Sequence, residues 1–152
     1  MEKMINRELI ARGIDAKDSE DAIRQVGQYF LKNGFVKDTY IDAVVAREKV
    51  FATGLQLDGI AVAMPHTDTI HVNKPGVTVA QLKHPVTFEH MAEPGRKVEA
   101  EMIFMMAIAD PKDQVELLRN VMGVFQNKEA MMEFKNASSD DELYNVAVKY
   151  IG

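Results

Sequence analysis

The 152-residue chain predicts an α/β domain built as a three-layer α/β/α sandwich. Three observations carry that prediction. Short apolar segments of strand length alternate along the chain with segments whose apolar residues recur at helical spacing. The segment from Val98 to Ile108 begins by alternating and then becomes continuously apolar, as a central strand does when helices cover both its faces. Finally, Asp110-Pro111-Lys112-Asp113 and Ser139-x-x-Glu142 are helix starts written in capping chemistry.

Taken in order, Leu9 to Ile14 reads as a short first strand. Asp18 and Ser19 are candidate caps for a helix to about Asn33. Ile23, Val26, Tyr29 and Phe30 form its apolar stripe, and Gly34 supplies a left-handed stop. A second helix begins near Thr39, with Ile41, Val44 and Val45 on one face and Arg47 near its end. Gly59 to Met64 reads as a buried strand, Gly76 to Leu82 as another, and Val86 to Phe88 as a short edge piece. After the central strand, proline is pre-organised for the first helical position, and acids suit the positive helix end. Val115, Leu118, Val121, Met122 and Phe125 are the expected buried stripe of that helix. Asn127 caps a short helix to about Phe134, and a last helix turns Leu143, Val146, Ala147 and Tyr150 inward.

Length and composition narrow the function. A chain of this length buries roughly 70% of its unfolded surface, so residues 1–152 are expected to form a single domain without covalent staples. The absence of cysteine excludes disulfides, thiolate metal sites and cysteine nucleophiles. The N-terminal residues lack an apolar signal core, and the longest apolar run, Met102 to Ala109, is far short of the ~20 residues that span a membrane. The expectation is a soluble cytoplasmic protein with no direct membrane insertion. The net charge is −5, with 18 basic and 23 acidic side chains interspersed, and no basic stripe that would track nucleic acid. Neither G-x-x-x-x-G-K-[ST] nor G-x-G-x-x-G occurs, which argues against a nucleotide-dependent kinase.

One segment stands out: Gly59-Ile60-Ala61-Val62-Ala63-Met64-Pro65-His66-Thr67-Asp68. A small-residue apolar run ends at a proline, which cannot donate to a sheet ladder, so the strand should stop there. His66 is then delivered to a strand end, where open α/β sheets keep their binding sites. A histidine there can act as nucleophile, base or ligand. His66, His71 and Asp68 offer nitrogen and oxygen ligands, but their spacing matches no compact metal motif, and no metal or cofactor is expected. The small-residue run closing on Pro65-His66 resembles the phospho-acceptor signature of the fructose/mannitol-type enzyme IIA domains of the sugar phosphotransferase system. Thr67-Asp68 and Val79-Ala80-Gln81-Leu82-Lys83-x-Pro85-Val86-x-Phe88 resemble the galactitol-type branch. The resemblance extends from about Ile41 to Tyr150.

The resemblance implies a mixed central sheet and a phosphocarrier. In that role His66 takes a phosphoryl group from the carrier protein HPr. It passes the group to a cysteine of enzyme IIB, which phosphorylates a sugar or sugar alcohol, such as galactitol, entering through the membrane enzyme IIC. A regulatory protein-binding module controlled by phosphorylation is the alternative. An attacking imidazole must be neutral, as about three-quarters would be at pH 7 with an ordinary pKa of ~6.5. Its second nitrogen needs a carbonyl or carboxylate partner, which Thr67, Asp68 and Thr69 are near enough to offer. Asp68 and the threonines serve equally well as a plain turn. Arg47, which precedes the histidine much as an arginine does in the family, is the candidate for stabilising phosphoryl charge. A second histidine of the mannitol-type branch aligns with Gln114, whose amide can donate to a phosphoryl oxygen. His71 is the other candidate for that place. His84 and His90 fall in polar stretches and read as surface residues. Most of the ten methionines are core.

Overall fold

The computed structural model describes residues 3–152. A five-stranded sheet holds β1 (Ile10–Ile14), β2 (Gly54–Gln56), β3 (Ala61–Ala63), β4 (Gly76–Glu89) and β5 (Lys97–Ala107). Their spatial order is β1-β4-β5-β3-β2. β1 runs parallel to β4 and β3 parallel to β5, whereas β4/β5 and β2/β3 are antiparallel. The sheet is therefore mixed. Helices α1 (Ser19–Lys32) and α2 (Tyr40–Val50) cover one face; α3 (Pro111–Phe125), α4 (Lys128–Asn136) and α5 (Asp140–Tyr150) cover the other.

β5 shows why its sequence loses alternation. Ile103, Met105 and Ala107 enter the core under α1 and α2, while Met102, Phe104 and Met106 enter the core under α3 to α5. Successive side chains point to opposite faces, and both faces are dry, so every position is apolar. Phe104 anchors the second core with edge-on contacts to Phe125 and Phe134 at centroid distances of 5.1 and 5.2 Å, a geometry that aromatic quadrupoles favour. In the first core Tyr40 is fully buried, and its hydroxyl donates to the Met106 carbonyl at 2.6 Å. Burial without a charged partner drives its phenol pKa far upward, so it stays a neutral donor.

The helix starts follow the capping logic of the sequence. Asp18, Asp110, Asn127 and Ser139 each accept a backbone N–H of the helix that follows. Gly34, after α1, has φ of 78°, the left-handed stop expected there.

Four details differ from the sequence reading. Val86 to Phe88 is not an edge piece but the second half of β4, which pairs with β5 along its length and shifts register between Gln81 and Val86. Pro85, which lacks an N–H, falls within that shift, where no ladder bond is forfeited. β2 was not expected; three residues carry no periodicity. Gly54 makes the strand possible, because a Cβ there would lie 2.5 Å from the Glu89 carbonyl oxygen. The strand expected from Gly59 is shorter, with ladder pairing confined to Ala61–Ala63. In α3 the buried positions are Leu117, Val121, Val124 and Phe125, Leu118 and Met122 are partly buried, and Val115 is 63% exposed. Val115 lies near the start of the helix and stays open to solvent.

Candidate functional site

β3 ends at Ala63, and the chain beyond it is pinned on both sides. The Met64 N–H points at the Thr53 carbonyl and hydroxyl oxygens, both at 3.3 Å. The Pro65 carbonyl accepts the Met106 N–H of β5 at 3.1 Å. His66 follows, half-buried, with Nδ1 2.8 Å from the Met64 carbonyl oxygen. A carbonyl only accepts, so Nδ1 carries the proton and donates. Nε2 is then the nitrogen with the free lone pair. Burial is the main influence on this ring and pulls its pKa below the ordinary histidine value. The Met64 carbonyl opposes that shift, the Arg47 cation adds to it, and Asp68 opposes it. The neutral imidazole is thus favoured at neutral pH.

Arg47 reaches this loop from the last turns of α2. Its Nη1 lies 3.8 Å from Asp68 Oδ1, and its guanidinium carbon stands 5.0 Å over the Phe51 ring. Arg47 Nε is buried and has no hydrogen-bond partner among the described residues. Buried donors of that kind are rare in folded proteins. Asp68 is exposed, and Thr67 is buried beside it. Gln114 lies half-buried in the first turn of α3. Because β3 and β5 are parallel neighbours, α3 starts at the sheet end from which His66 emerges.

His71 is placed differently. It closes a single 3-10 turn, Thr69–His71, and its Nδ1 lies 2.7 Å from Thr39 Oγ1. Thr39 precedes α2, whereas Arg47 sits two turns further along, roughly 12 Å down the helix axis. The fold thus gathers His66, Arg47 and Asp68 and ties His71 to the other end of α2. His84 pairs with Asp15 at 3.0 Å, and His90 Nδ1 accepts the Ala92 N–H, both on the surface as expected.

Two side chains that the sequence did not single out belong to the surroundings of His66. Glu48 accepts the Thr53 N–H on Oε2 at 2.8 Å and contacts the Thr53 hydroxyl through Oε1 at 2.7 Å. Burial pushes its carboxyl up to about 7; the Thr53 hydrogen bonds resist this, and Glu89 adds to it. Glutamate next to arginine is too common to have marked the site. Apolar side chains also stand exposed nearby in sequence: Phe51 at 60% and Ile70 at 68%. Among the described residues no helix is long and apolar enough to cross a membrane.

Residues 3–149 match the family described as phosphoenolpyruvate-dependent sugar phosphotransferase system, EIIA 2. The chain is 27% identical over 142 residues to the PTS system galactitol-specific EIIA component of Escherichia coli K12, covering 93% of each protein. It shares its fold with the mannitol-specific cryptic phosphotransferase enzyme IIA CmtB of E. coli (TM-score 0.79, 20% identity, covering 95% of each chain). The enzyme IIA of the E. coli mannitol IIA–phosphorylated IIB complex has the same fold (TM-score 0.78, 23% identity, covering 95% of this chain and 97% of that one). With the match spanning nearly every residue of the chain, this protein belongs to the EIIA 2 family of the phosphoenolpyruvate-dependent sugar phosphotransferase system, whose members are phosphotransferase carrier components.

Proposed function

We propose that residues 1–152 form one cytoplasmic phosphocarrier domain in which His66 Nε2 is the phosphoryl acceptor. The observation that carries this reading is the pairing of a neutral imidazole, proton fixed on Nδ1 by the Met64 carbonyl, with Arg47, whose buried Nε has no acceptor among the described residues. In the first transfer the Nε2 lone pair attacks phosphorus of phospho-HPr. The phosphorus–nitrogen bond of the donor breaks, and its electron pair returns to the HPr imidazole. In the second, a cysteine thiolate of enzyme IIB attacks the same phosphorus, and the bond to Nε2 breaks with its pair returning to the ring. Phosphoryl transfer of this kind spreads charge over three equatorial oxygens, so the protein contributes mainly position and electrostatics. Arg47 supplies positive charge and an unused donor, and Gln114 a further amide donor from the first turn of α3. While Nε2 carries phosphorus, the Met64 carbonyl supports the positive ring. Exposed Phe51 and Ile70 suit a face that two proteins dock on in turn.

The galactitol-specific relative supports a sugar alcohol of the galactitol kind as the final acceptor, selected by the membrane enzyme IIC and not by this chain. The test is intact-mass spectrometry at neutral or alkaline pH after incubation with phosphoenolpyruvate, enzyme I and HPr. One added phosphoryl group on the wild type and none on His66→Ala is the expected result. Its disappearance on adding the cognate enzyme IIB identifies transport. A label that stays would favour a regulatory module, and an unlabelled wild type would overturn the carrier reading.

A further inference from the structure

Glu48 is a half-buried carboxyl that the transfer steps leave unused, and it begins a chain of hydrogen bonds that ends on the His66 ring. Its carboxyl holds both the N–H and the hydroxyl of Thr53. Thr53 is itself 4% exposed, and its hydroxyl and carbonyl oxygens face the Met64 N–H. The carbonyl of that same Met64 holds His66 Nδ1. Glu48 also follows Arg47 directly in α2, so one residue ties the helix end that carries the guanidinium to the strand end that carries the imidazole. We propose that Glu48 and Thr53 are positioning residues: through Met64 they hold the carbonyl that fixes the Nδ1–H tautomer of His66 and aim Nε2 outward. This rests on the reading of His66 as the acceptor.

Glu48 keeps both of its contacts to Thr53 in either protonation state. As a carboxylate, Oε1 accepts the Thr53 hydroxyl proton, and the freed Thr53 lone pair accepts from Met64. As a neutral acid, the carboxyl O–H donates to Thr53 Oγ1 while the other oxygen keeps the Thr53 N–H. In the ionised state each donor of Thr53 and Met64 in this network has an acceptor, the condition under which a polar network rigidifies its surroundings. A glutamine keeps the same two contacts as the neutral acid, with its carbonyl on the Thr53 N–H and its amide donating to Oγ1. An alanine removes both contacts, and Thr53→Val removes the hydroxyl while keeping the shape.

The experiment compares wild type, Glu48→Gln, Glu48→Ala, Thr53→Ser and Thr53→Val by two readouts. One is the His66 ring tautomer from long-range proton–nitrogen-15 spectra of the free protein. The other is the initial rate of phosphoryl uptake from phospho-HPr. Glu48→Gln and Thr53→Ser are expected to keep the Nδ1–H tautomer and a rate within about threefold of wild type. Glu48→Ala and Thr53→Val are expected to populate the Nε2–H tautomer and to slow uptake at least ~10-fold, the lower end of the loss when the partner orienting a metal-bound histidine is removed. Thr53→Val, nearly isosteric, decides the matter if Glu48→Ala does not fold. Folded Thr53→Val with an unchanged tautomer and rate would overturn the proposal. The tautomer spectra need no phosphoryl donor. An unlabelled wild type would therefore overturn the carrier reading alone, while the spectra still decide the positioning role.

Discussion

Replacing Glu48 by glutamine should flatten the pH dependence of stability. The carboxyl of Glu48 is pushed from its ordinary 4.5 up to about 7 by burial. A group whose folded pKa is raised binds its proton more tightly in the native state. Its stabilising contribution is therefore full below the unfolded pKa and is lost as pH rises through the folded one. At about 1.36 kcal/mol per pH unit, the interval from 4.5 to about 7 is worth roughly 3 kcal/mol in all, of which about 2.5 kcal/mol falls between about pH 5 and about pH 8. Glu20, Lys49 and Glu89 line the same cavity, of ≈ 220 Å³, as Glu48 and are common to both proteins, so the comparison isolates Glu48. Glutamine keeps the neutral hydrogen-bonding pattern and cannot ionise. Urea unfolding followed by circular dichroism across this pH range should show wild type losing about 2.5 kcal/mol relative to Glu48→Gln as pH rises, with unchanged slopes. Two stability curves that run parallel within ~0.5 kcal/mol would refute the reasoning.

Other outcomes follow from the same geometry. Arg47→Ala should slow phosphoryl uptake on the order of 100-fold, the scale of removing one charge-stabilising donor, while stopped-flow uptake of Arg47→Lys should recover only part of it, because a point charge does not replace the planar fork. The pKa of His66 lies below the ordinary histidine value, so uptake should stay on its plateau as pH falls from 7 toward the usual histidine range. A nitrogen-15 titration of the ring checks this, and a midpoint above the ordinary value would contradict it. Gly54→Ala should destabilise the fold by about 1–3 kcal/mol, since the added methyl meets a backbone carbonyl that cannot move aside; thermal melting measures it. Phe104→Ala should cost about 3–5 kcal/mol by emptying the centre of the second core.

The layers of this fold were legible because periodicity and capping are local. The β5 run, the Asp110-Pro111 start and the Ser139 cap are all where the sequence put them. β2 was not, because three residues cannot show a period, and what makes them a strand is the close approach of Gly54 to Glu89, a contact 35 positions away. The continuity of β4 was hidden by Pro85, which reads as a break and instead occupies the register shift. Around His66 the sequence named the imidazole, Arg47 and Asp68, which the fold brings together. It expected the partner of the second ring nitrogen among Thr67, Asp68 and Thr69, and the partner is the backbone of Met64. No side-chain pattern announces a carbonyl. Glu48 and Thr53 escaped for a related reason: they reach the ring only through the two backbone groups of Met64.

β5 belongs to two interiors at once, and this governs how the molecule comes apart. Opening that releases either helical layer wets one side of a strand on which the opposite layer still depends, so the layers should separate only together. The amides of β5 then exchange with solvent by whole-molecule unfolding, not by local fraying. The segment bearing His66 is moored to that strand through Pro65 and Met106. The ring is therefore carried on a segment tied to the strand that both helical layers share.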